Sequence, residues 1–253
     1  MRATQFLGAA AFIAVVSAET WRSNHAADGL TLLANARQTA SERDGSVNGT
    51  LKAGQSPSKK SKNNFINICS GKTLTNGTQI PEGSCNGIPM GDIPAKTQMI
   101  SSIIIFPETN AIPIEPDTDF NITVQVANLV AGSFTNPNFT YYAAPQALEG
   151  GKVVGHVHVV VQDMGGTLNP KQVLDPTKFV FFKGINDVGD GNGLLRAIVT
   201  GGLPAGYYRV CTMVSASNHQ PVLMPIAQRG AADDCTKFIV AADGKTTSNA
   251  CIN

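Results

Sequence analysis

The sequence is poor in the residues that most reactive sites require. Its 253 residues include four histidines, five cysteines and one tryptophan, and no Cys-x-x-Cys pair occurs. The missing pair argues against a thiolate metal site or a thiol redox motif. Charged residues make up 15% of the chain and the formal net charge is +1, so the sequence offers no strongly basic surface for nucleic acid. We therefore expect no nucleic-acid partner.

Long apolar runs are also missing, and the one apolar stretch lies at the N-terminus. In "MRATQFLGAAAFIAVVSAET", Arg2 precedes an apolar segment over residues 6–16, and Ala18 is placed for signal-peptidase cleavage. The segment is shorter than the roughly 20 residues that span a bilayer. It therefore predicts a signal peptide over residues 1–18, no membrane span, and a secreted, extracellular protein.

Four N-glycosylation sequons agree with secretion. Their acceptors are Asn48, Asn76, Asn121 and Asn138. Such triplets also arise by chance, and here they gain weight from the signal peptide that precedes them. We expect the protein to be glycosylated.

Cysteines in a secreted chain predict disulfides rather than thiol chemistry. Cys69 and Cys85 stand at the two ends of "CSGKTLTNGTQIPEGSC", a loop whose closure would stabilise the fold by roughly 3 kcal/mol in the chain-entropy model. The second predicted pair is Cys211 with Cys235. Cys251 is then free or paired between chains, and other connectivities stay open.

The composition of the chain changes near residue 64. Residues 19–63 are rich in Ser, Ala, Asn and Lys and hold seven Lys or Arg against four acids, whereas residues 64–253 hold eleven against fourteen. The first segment shows no strand-like alternation and little to bury, which favours a disordered N-terminal leader. It is either a propeptide cut at Lys59-Lys60 or a linker that is never cut.

Residues 64–253 have the pattern of a β protein, with short β-branched and aromatic runs between Gly, Pro, Asn and Asp turns. We predict one all-β domain, an antiparallel immunoglobulin-like (Greek-key) β-sandwich. The segment "LPAGYYRVC" resembles the corner of such domains at which a strand tyrosine binds back to the loop. The candidate strands are "MISSIIIF", "FNITVQVANL", "VVGHVHVVVQ", "KFVFFKG", "LLRAIVTGG", "GYYRVCTMVSA" and "CTKFIVAA".

Two histidines alternate with valines in "GHVHVVVQ", residues 155–162. In a strand the valines at 157, 159 and 161 share one face, which we assign to the core, and His156 and His158 share the other. His219 lies in the polar segment "SASNHQPVLMP". If the strand before it neighbours the histidine strand, the three imidazoles form a copper or zinc site. The alternative is an exposed pair of strand histidines and a loop histidine that binds its own backbone.

Other catalytic or sugar-binding signals are few. Ser215, His219 and Asp233 could be drawn into a hydrolytic triad, but no nucleophile-elbow motif supports it. We therefore expect no enzymatic activity. Sugar-binding surfaces commonly use exposed aromatic rings, and Tyr141-Tyr142 and Tyr207-Tyr208 are the candidates for such a surface in the domain.

Several motifs in order resemble a group of secreted fungal proteins of unassigned function. The motifs are "NFINICSGKTLTNGTQIPEGSCNGIPMGDIP", "VVGHVHVVVQ", "DPTKFVFFKGIN", "GLPAGYYRVCTMVSASNHQPVLMPIAQRG" and "DDCTKFIV". The resemblance covers roughly residues 64–240 and implies no catalytic residue. Some members carry a ribosomal-protein name, which conflicts with a signal peptide, sequons and an acidic domain.

Together these patterns predict a disulfide-stabilised glycoprotein that acts outside the fungal cell by binding, without catalysis and without a cofactor. It would be wall-associated or effector-like, at the cell surface or a host interface. The expected partners are cell-wall polysaccharide or a host extracellular protein. The competing prediction is a copper- or zinc-binding extracellular protein that uses His156, His158 and His219.

Overall fold

The computed structural model describes residues 30–44, 46–50, 57, 59–82, 85–109, 112–142 and 144–242. The chain divides into two compact units, Met1–Ser70 and Gly71–Asn253. The predicted signal peptide and Cys251 lie outside the described residues. Within the described part, no helix has the length and apolar character needed to cross a membrane.

The first unit contains only short local structure in its described residues. Two 3-10 helices, Ala34–Ala36 and Thr39–Glu42, bury no side chain. An antiparallel bridge joins Val47 to Thr50. Disorder of the leader and its end at residue 63 stay predictions, since these turns neither require nor exclude a flexible segment in solution.

The regular secondary structure described in the second unit is almost entirely β-strand. A 3-10 helix at Lys96–Gln98 precedes the strands, and one helical turn, α1 (Pro137–Thr140), lies between the third and fourth. The strands are β1 Ser101–Phe106, β2 Phe120–Ala127, β3 Leu129–Ala131, β4 Leu148–Glu149, β5 Lys152–Asp163, β6 Phe181–Ile185, β7 Leu194–Val199, β8 Gly206–Ala216 and β9 Cys235–Val240. Each of the seven predicted runs overlaps one of them. Residues 129–131 and β4 were not predicted as separate strands, because two or three residues are too few to show alternation.

The strands form two sheets. One has the order β1-β2-β7, and the other has the order β3-β5-β8-β9, with β4 and β6 also paired to β5. The second sheet is mixed, because β3 runs parallel to β5, so the prediction of a wholly antiparallel sandwich was wrong at this pair. Asn128, with φ 61°, turns the chain between β2 in one sheet and β3 in the other. The all-β class is confirmed, and the immunoglobulin-like Greek-key connectivity stays a prediction.

The core lies between the two sheets. Val157, Val159 and Val161 are fully buried, as the alternation in β5 predicted, and they belong to one cluster with Ile122 of β2 and Leu195 of β7. Burying a side chain of this size stabilises the fold by roughly 1.5–3 kcal/mol. The valine face of β5 is therefore stabilised by packing against the opposite sheet.

Two further local predictions concern β8. The buried Tyr208 donates a hydrogen bond from its hydroxyl to the carbonyl of Pro204 at 2.8 Å, the corner contact that the sequence suggested. Cys211 and Cys235 are cross-strand partners on β8 and β9 and form a disulfide. Cys69 and Cys85 are each disulfide-bonded as well, and their pairing with one another stays a prediction.

Candidate metal centre

Loop segments cover the second face of β5. His156 has no exposed surface and His158 is half-buried. Phe134, in the segment after β3, lies against the His156 ring, with the two ring centroids 6.0 Å apart. His219, in the turn after β8, also packs against this ring, with a centroid distance of 4.7 Å. The alternative of an exposed histidine pair was therefore wrong for His156, because two loop segments cover this face.

A tight turn after β8 directs His219 back over the sheet. The His219 amide donates to the Ala216 carbonyl at 2.9 Å, and the Ala216 amide donates to the Gln220 carbonyl at 3.0 Å. His219 itself has φ 73°, in the left-handed region. Ser215 and Pro221 then form an antiparallel bridge that closes the turn. The reversal places an imidazole from outside the strand beside the two from within it.

The three imidazoles converge on one point. Their ring centroids lie 4.6 Å (His156 to His158), 4.7 Å (His156 to His219) and 5.6 Å (His158 to His219) apart. One ligand nitrogen from each ring lies within 4.8 Å of the other two. In a tetrahedral zinc site with bonds of about 2.0–2.1 Å, ligand nitrogens are about 3.3 Å apart. The nitrogen separations in the set are therefore at most about 1.5 Å longer than those of a zinc site.

The hydrogen bonds at His156 define which nitrogen is free for a metal. Its Nδ1 lies 3.0 Å from the Ser133 carbonyl, which can only accept, so Nδ1 carries the proton. In the neutral ring, Nε2 then has the lone pair, and it faces His158 Nε2 at 3.2 Å. Metal-bound histidines commonly donate their other N–H to a carbonyl in this way. His219 Nδ1 is buried without a hydrogen-bond partner.

Burial keeps the cluster uncharged. It lowers the pKa of His156 to about 4, with the neighbouring His219 adding to the effect. Burial, followed by the charges of His156 and His219, also lowers the pKa of His158 to about 4. The pKa of His219 is lowered by burial. The imidazoles are therefore neutral at pH 7, the protonation state that binds a metal.

Two glycines lie at close strand pairings next to the strand histidines. At Gly155, immediately before His156, a Cβ would lie 2.0 Å from the Ser215 carbonyl oxygen. Any side chain there would separate β5 from β8 at the level of the cluster. Gly184 of β6 pairs with His158, and a Cβ there would lie 3.1 Å from Asn186 Oδ1 and 3.4 Å from the His158 ring.

A pocket of about 460 Å³ opens beside the cluster. Its wall includes Tyr141, Tyr142, His158, Phe182, Met213 and His219. Because His158 and His219 line this space, an ion held by the histidines would be reached from it. Three protein ligands and one position open to a pocket are typical of zinc sites that bind a further ligand.

Tyr141 and Tyr142 form one side of this pocket as a stacked pair, with ring centroids 4.0 Å apart. Burial, followed by a hydrogen bond with Tyr142, raises the pKa of Tyr141 to about 12, so its hydroxyl keeps its proton. The sequence suggested this pair as a sugar-binding candidate. It gave no sign that the pair lies beside His219, because 77 residues separate Tyr142 from His219.

Ser215 and Asp233 line the same pocket as His219, but the three do not have the geometry of a triad. Asp233 Oδ1 accepts from the Val214 amide at 2.7 Å, while His219 Nδ1 has no partner. Burial raises the pKa of the Asp233 carboxyl. A triad needs the acid to be hydrogen-bonded to the histidine. Ser215, His219 and Asp233 therefore line the pocket without forming a triad.

The fold and site define a disulfide-bonded β domain with a three-histidine cluster in a pocket. The chain belongs to the family described as CLU5d N-terminal domain, which matches residues 102–241. It is 58% identical over 196 residues to "Pathogenicity cluster 5 protein d" of the fungus Colletotrichum graminicola. This match covers 77% of the chain and 41% of the relative, so the chain spans less than half of that protein's length.

Proposed function

We propose that this chain is a secreted, glycosylated fungal protein that acts in virulence, and that His156, His158 and His219 hold one copper or zinc ion. The convergence of the three ligand nitrogens within 4.8 Å is the observation that carries the metal proposal. Neutral imidazoles suit both ions, and copper binds such sets more tightly than zinc does.

The surroundings of the cluster support the same proposal. A buried nitrogen without a partner costs free energy unless something binds it, and His219 Nδ1 is such an atom. The Ser133 carbonyl fixes the His156 ring with Nε2 directed toward His158. An ion held by the three histidines would bond the free lone pair of His156 Nε2 and would cost no proton release at pH 7.

The extracellular part of the proposal has separate support. The disulfide between Cys211 and Cys235 and the bonded state of Cys69 and Cys85 agree with an oxidising compartment. All four sequon asparagines are exposed, as a glycan requires. The printed name of the relative associates that protein with pathogenicity. We propose binding at the cell surface or a host interface, with the open metal position holding a ligand, and we assign no catalytic step.

The metal proposal is tested by elemental analysis of the natively secreted protein beside a His156→Gln, His158→Gln double variant. We expect about one copper or zinc per chain in the wild type and none in the double variant. His25→Gln is the matched control, because it changes the remaining histidine and should keep the metal. Equal metal content in all three proteins, or none in the wild type, would refute the proposal.

A thermal measurement gives a second test that does not depend on co-purification. Adding zinc or copper to the metal-free wild type at 100 times the dissociation constant should stabilise it by about 2.7 kcal/mol. The double variant should show no saturable shift. A shift of equal size in both proteins would place the ion elsewhere.

A further inference from the structure

We propose that the pocket beside the histidine cluster binds a neutral polysaccharide chain, which lies along a row of aromatic rings that passes through the cluster. This inference rests on the proposed binding function and names its ligand class. Three observations support it: the row of rings, a second pocket that continues the first, and the backbone conformation of two residues in the wall.

The rings form a continuous row across the histidine face. The row runs Tyr142, Tyr141, His219, His158, Phe182 and Phe179. Successive ring centroids are 4.0, 6.2, 5.6, 5.2 and 5.9 Å apart. Phe182 is 45% exposed and Phe179 is 56% exposed. Phenylalanine is more often buried in the hydrophobic core of a protein. The other four rings are half-buried and line the pocket, and exposed apolar rings that adjoin a pocket are typical of a binding surface.

A second pocket continues the first on the other side of the tyrosine pair. Its volume is about 390 Å³, and its wall combines Tyr141 and Tyr142 with Thr78, Gln79 and Asn86. Gln79 also lines the pocket beside the histidines. The two spaces therefore share three wall residues. A ligand that fills both must be elongated, because the tyrosine pair lies between them.

The chemistry of the walls selects the ligand class. Among the described residues, neither wall contains Lys or Arg, and Asp233 is the one acid. In the metal-free protein, a polyanionic chain would therefore meet no cationic side chain on either wall. Aromatic faces bind apolar surfaces, while amides and hydroxyls fix orientation through hydrogen bonds. A sugar unit has both an apolar C–H face and a hydroxyl edge, so successive units of a chain can contact successive rings of the row.

Two wall residues adopt a backbone conformation that side chains rarely take. Tyr142 has φ 55° and His219 has φ 73°, whereas five of the other six described non-glycine residues with positive φ are Asn or Asp. Such conformations persist where surrounding bonds hold them and cluster at functional sites. Here the Tyr142 amide donates to the Asn218 carbonyl at 3.0 Å, and Asn86 Nδ2 donates to the Tyr142 carbonyl at 3.3 Å. Both left-handed residues present a ring to the same pocket.

The test measures binding of cellohexaose, chitohexaose and laminarihexaose to the natively secreted protein by calorimetry, with hexagalacturonate as the acidic comparison. We expect at least one neutral hexasaccharide to bind. Tyr142→Gly should weaken that binding at least tenfold, because it removes the ring while glycine accepts the positive φ. Phe182→Ala, at an exposed position, should weaken it as well.

Asp117→Gly is the matched control. Asp117 is exposed, has φ 51° and lies outside both pocket walls, so its replacement should leave sugar binding unchanged. No binding of any neutral hexasaccharide, unchanged binding in both ring variants, or tighter binding of hexagalacturonate would each overturn the proposal.

The two proposals fail in different ways. A metal-loaded wild type that binds no hexasaccharide refutes the polysaccharide site and leaves the metal centre standing. A metal-free wild type whose sugar binding depends on Tyr142 refutes the metal centre alone. Metal content in Tyr142→Gly should equal that of the wild type, because Tyr142 is not among the three ligands.

Discussion

The two faces of β5 are both buried, but different parts of the chain bury them. The opposite sheet covers the valine face, and the valine side chains there have no polar atoms to satisfy. Two loop segments cover the histidine face, and each of its polar atoms needs a partner or a ligand. The comparison shows that one strand can contribute alternate side chains to the hydrophobic core and the remaining side chains to a candidate metal site.

The largest effect should come from breaking the covalent link at the end of the histidine face. Cys211 pairs with Val160 across the sheet and is bonded to Cys235, 24 residues away. Replacing both cysteines with Ala should destabilise the protein by about 3.5 kcal/mol, because the unfolded chain gains loop entropy. Chemical denaturation of the secreted variant measures this. A loss below about 1 kcal/mol would mean that the loops alone hold this face.

The second prediction compares the two faces by the same substitution at neighbouring positions. Val159→Ala should cost about 2–3 kcal/mol, because Val159 is fully buried between the sheets. Val160→Ala should cost clearly less, since Val160 is only half-buried on the histidine face. Denaturant unfolding of both variants gives the difference. Equal costs would show that the loop-covered face is packed as tightly as the core.

The third prediction uses pH to separate the faces in the metal-free protein. The pKa values of His156 and His158 are lowered to about 4 in the folded protein, so the unfolded chain binds protons first. Stability is fully present above about pH 6.5 and is lost as the pH falls toward 4. Between pH 7 and pH 6 the loss should be about 0.7 kcal/mol for each histidine that stays neutral when folded.

The control for this pH dependence is the His156→Gln, His158→Gln variant. Its unfolding free energy should change less between pH 7 and pH 5 than that of the wild type, because two of the titrating groups are gone. The curves come from denaturant titrations at each pH. Parallel curves for the two proteins would assign the pH dependence to other groups.

The smallest effect is expected on the outer face of the other sheet. Asn121 on β2 is exposed and pairs with Ile198 on β7, which is 51% exposed. Asn121→Gln should remove one glycan, visible as a mass decrease of the secreted protein. Stability should change by less than about 0.5 kcal/mol, as for most surface substitutions. An unchanged mass would show that this sequon is not used.

Much of the fold follows from local patterns in the sequence. Valines at every second position of β5 predicted its core face, because side chains alternate across a strand. The corner at Tyr208 and the seven longer strands had similarly local signals. The parallel pairing of β3 with β5 had no such local signal, because three residues are too few to define a register. The turn at Asn128 that leads from β2 to β3 is visible only in the folded structure.

The site divides in the same way. The sequence by itself determined that His156 and His158 share a face of one strand, because that relation depends only on the two-residue period of the backbone. Tertiary structure decided that His219 completes the cluster and that Tyr141, Tyr142 and Phe182 border the same pocket. These contacts depend on the tight turn after β8 and on loops packed over the sheet. Neither feature produces a periodic pattern in the sequence from which it could be predicted.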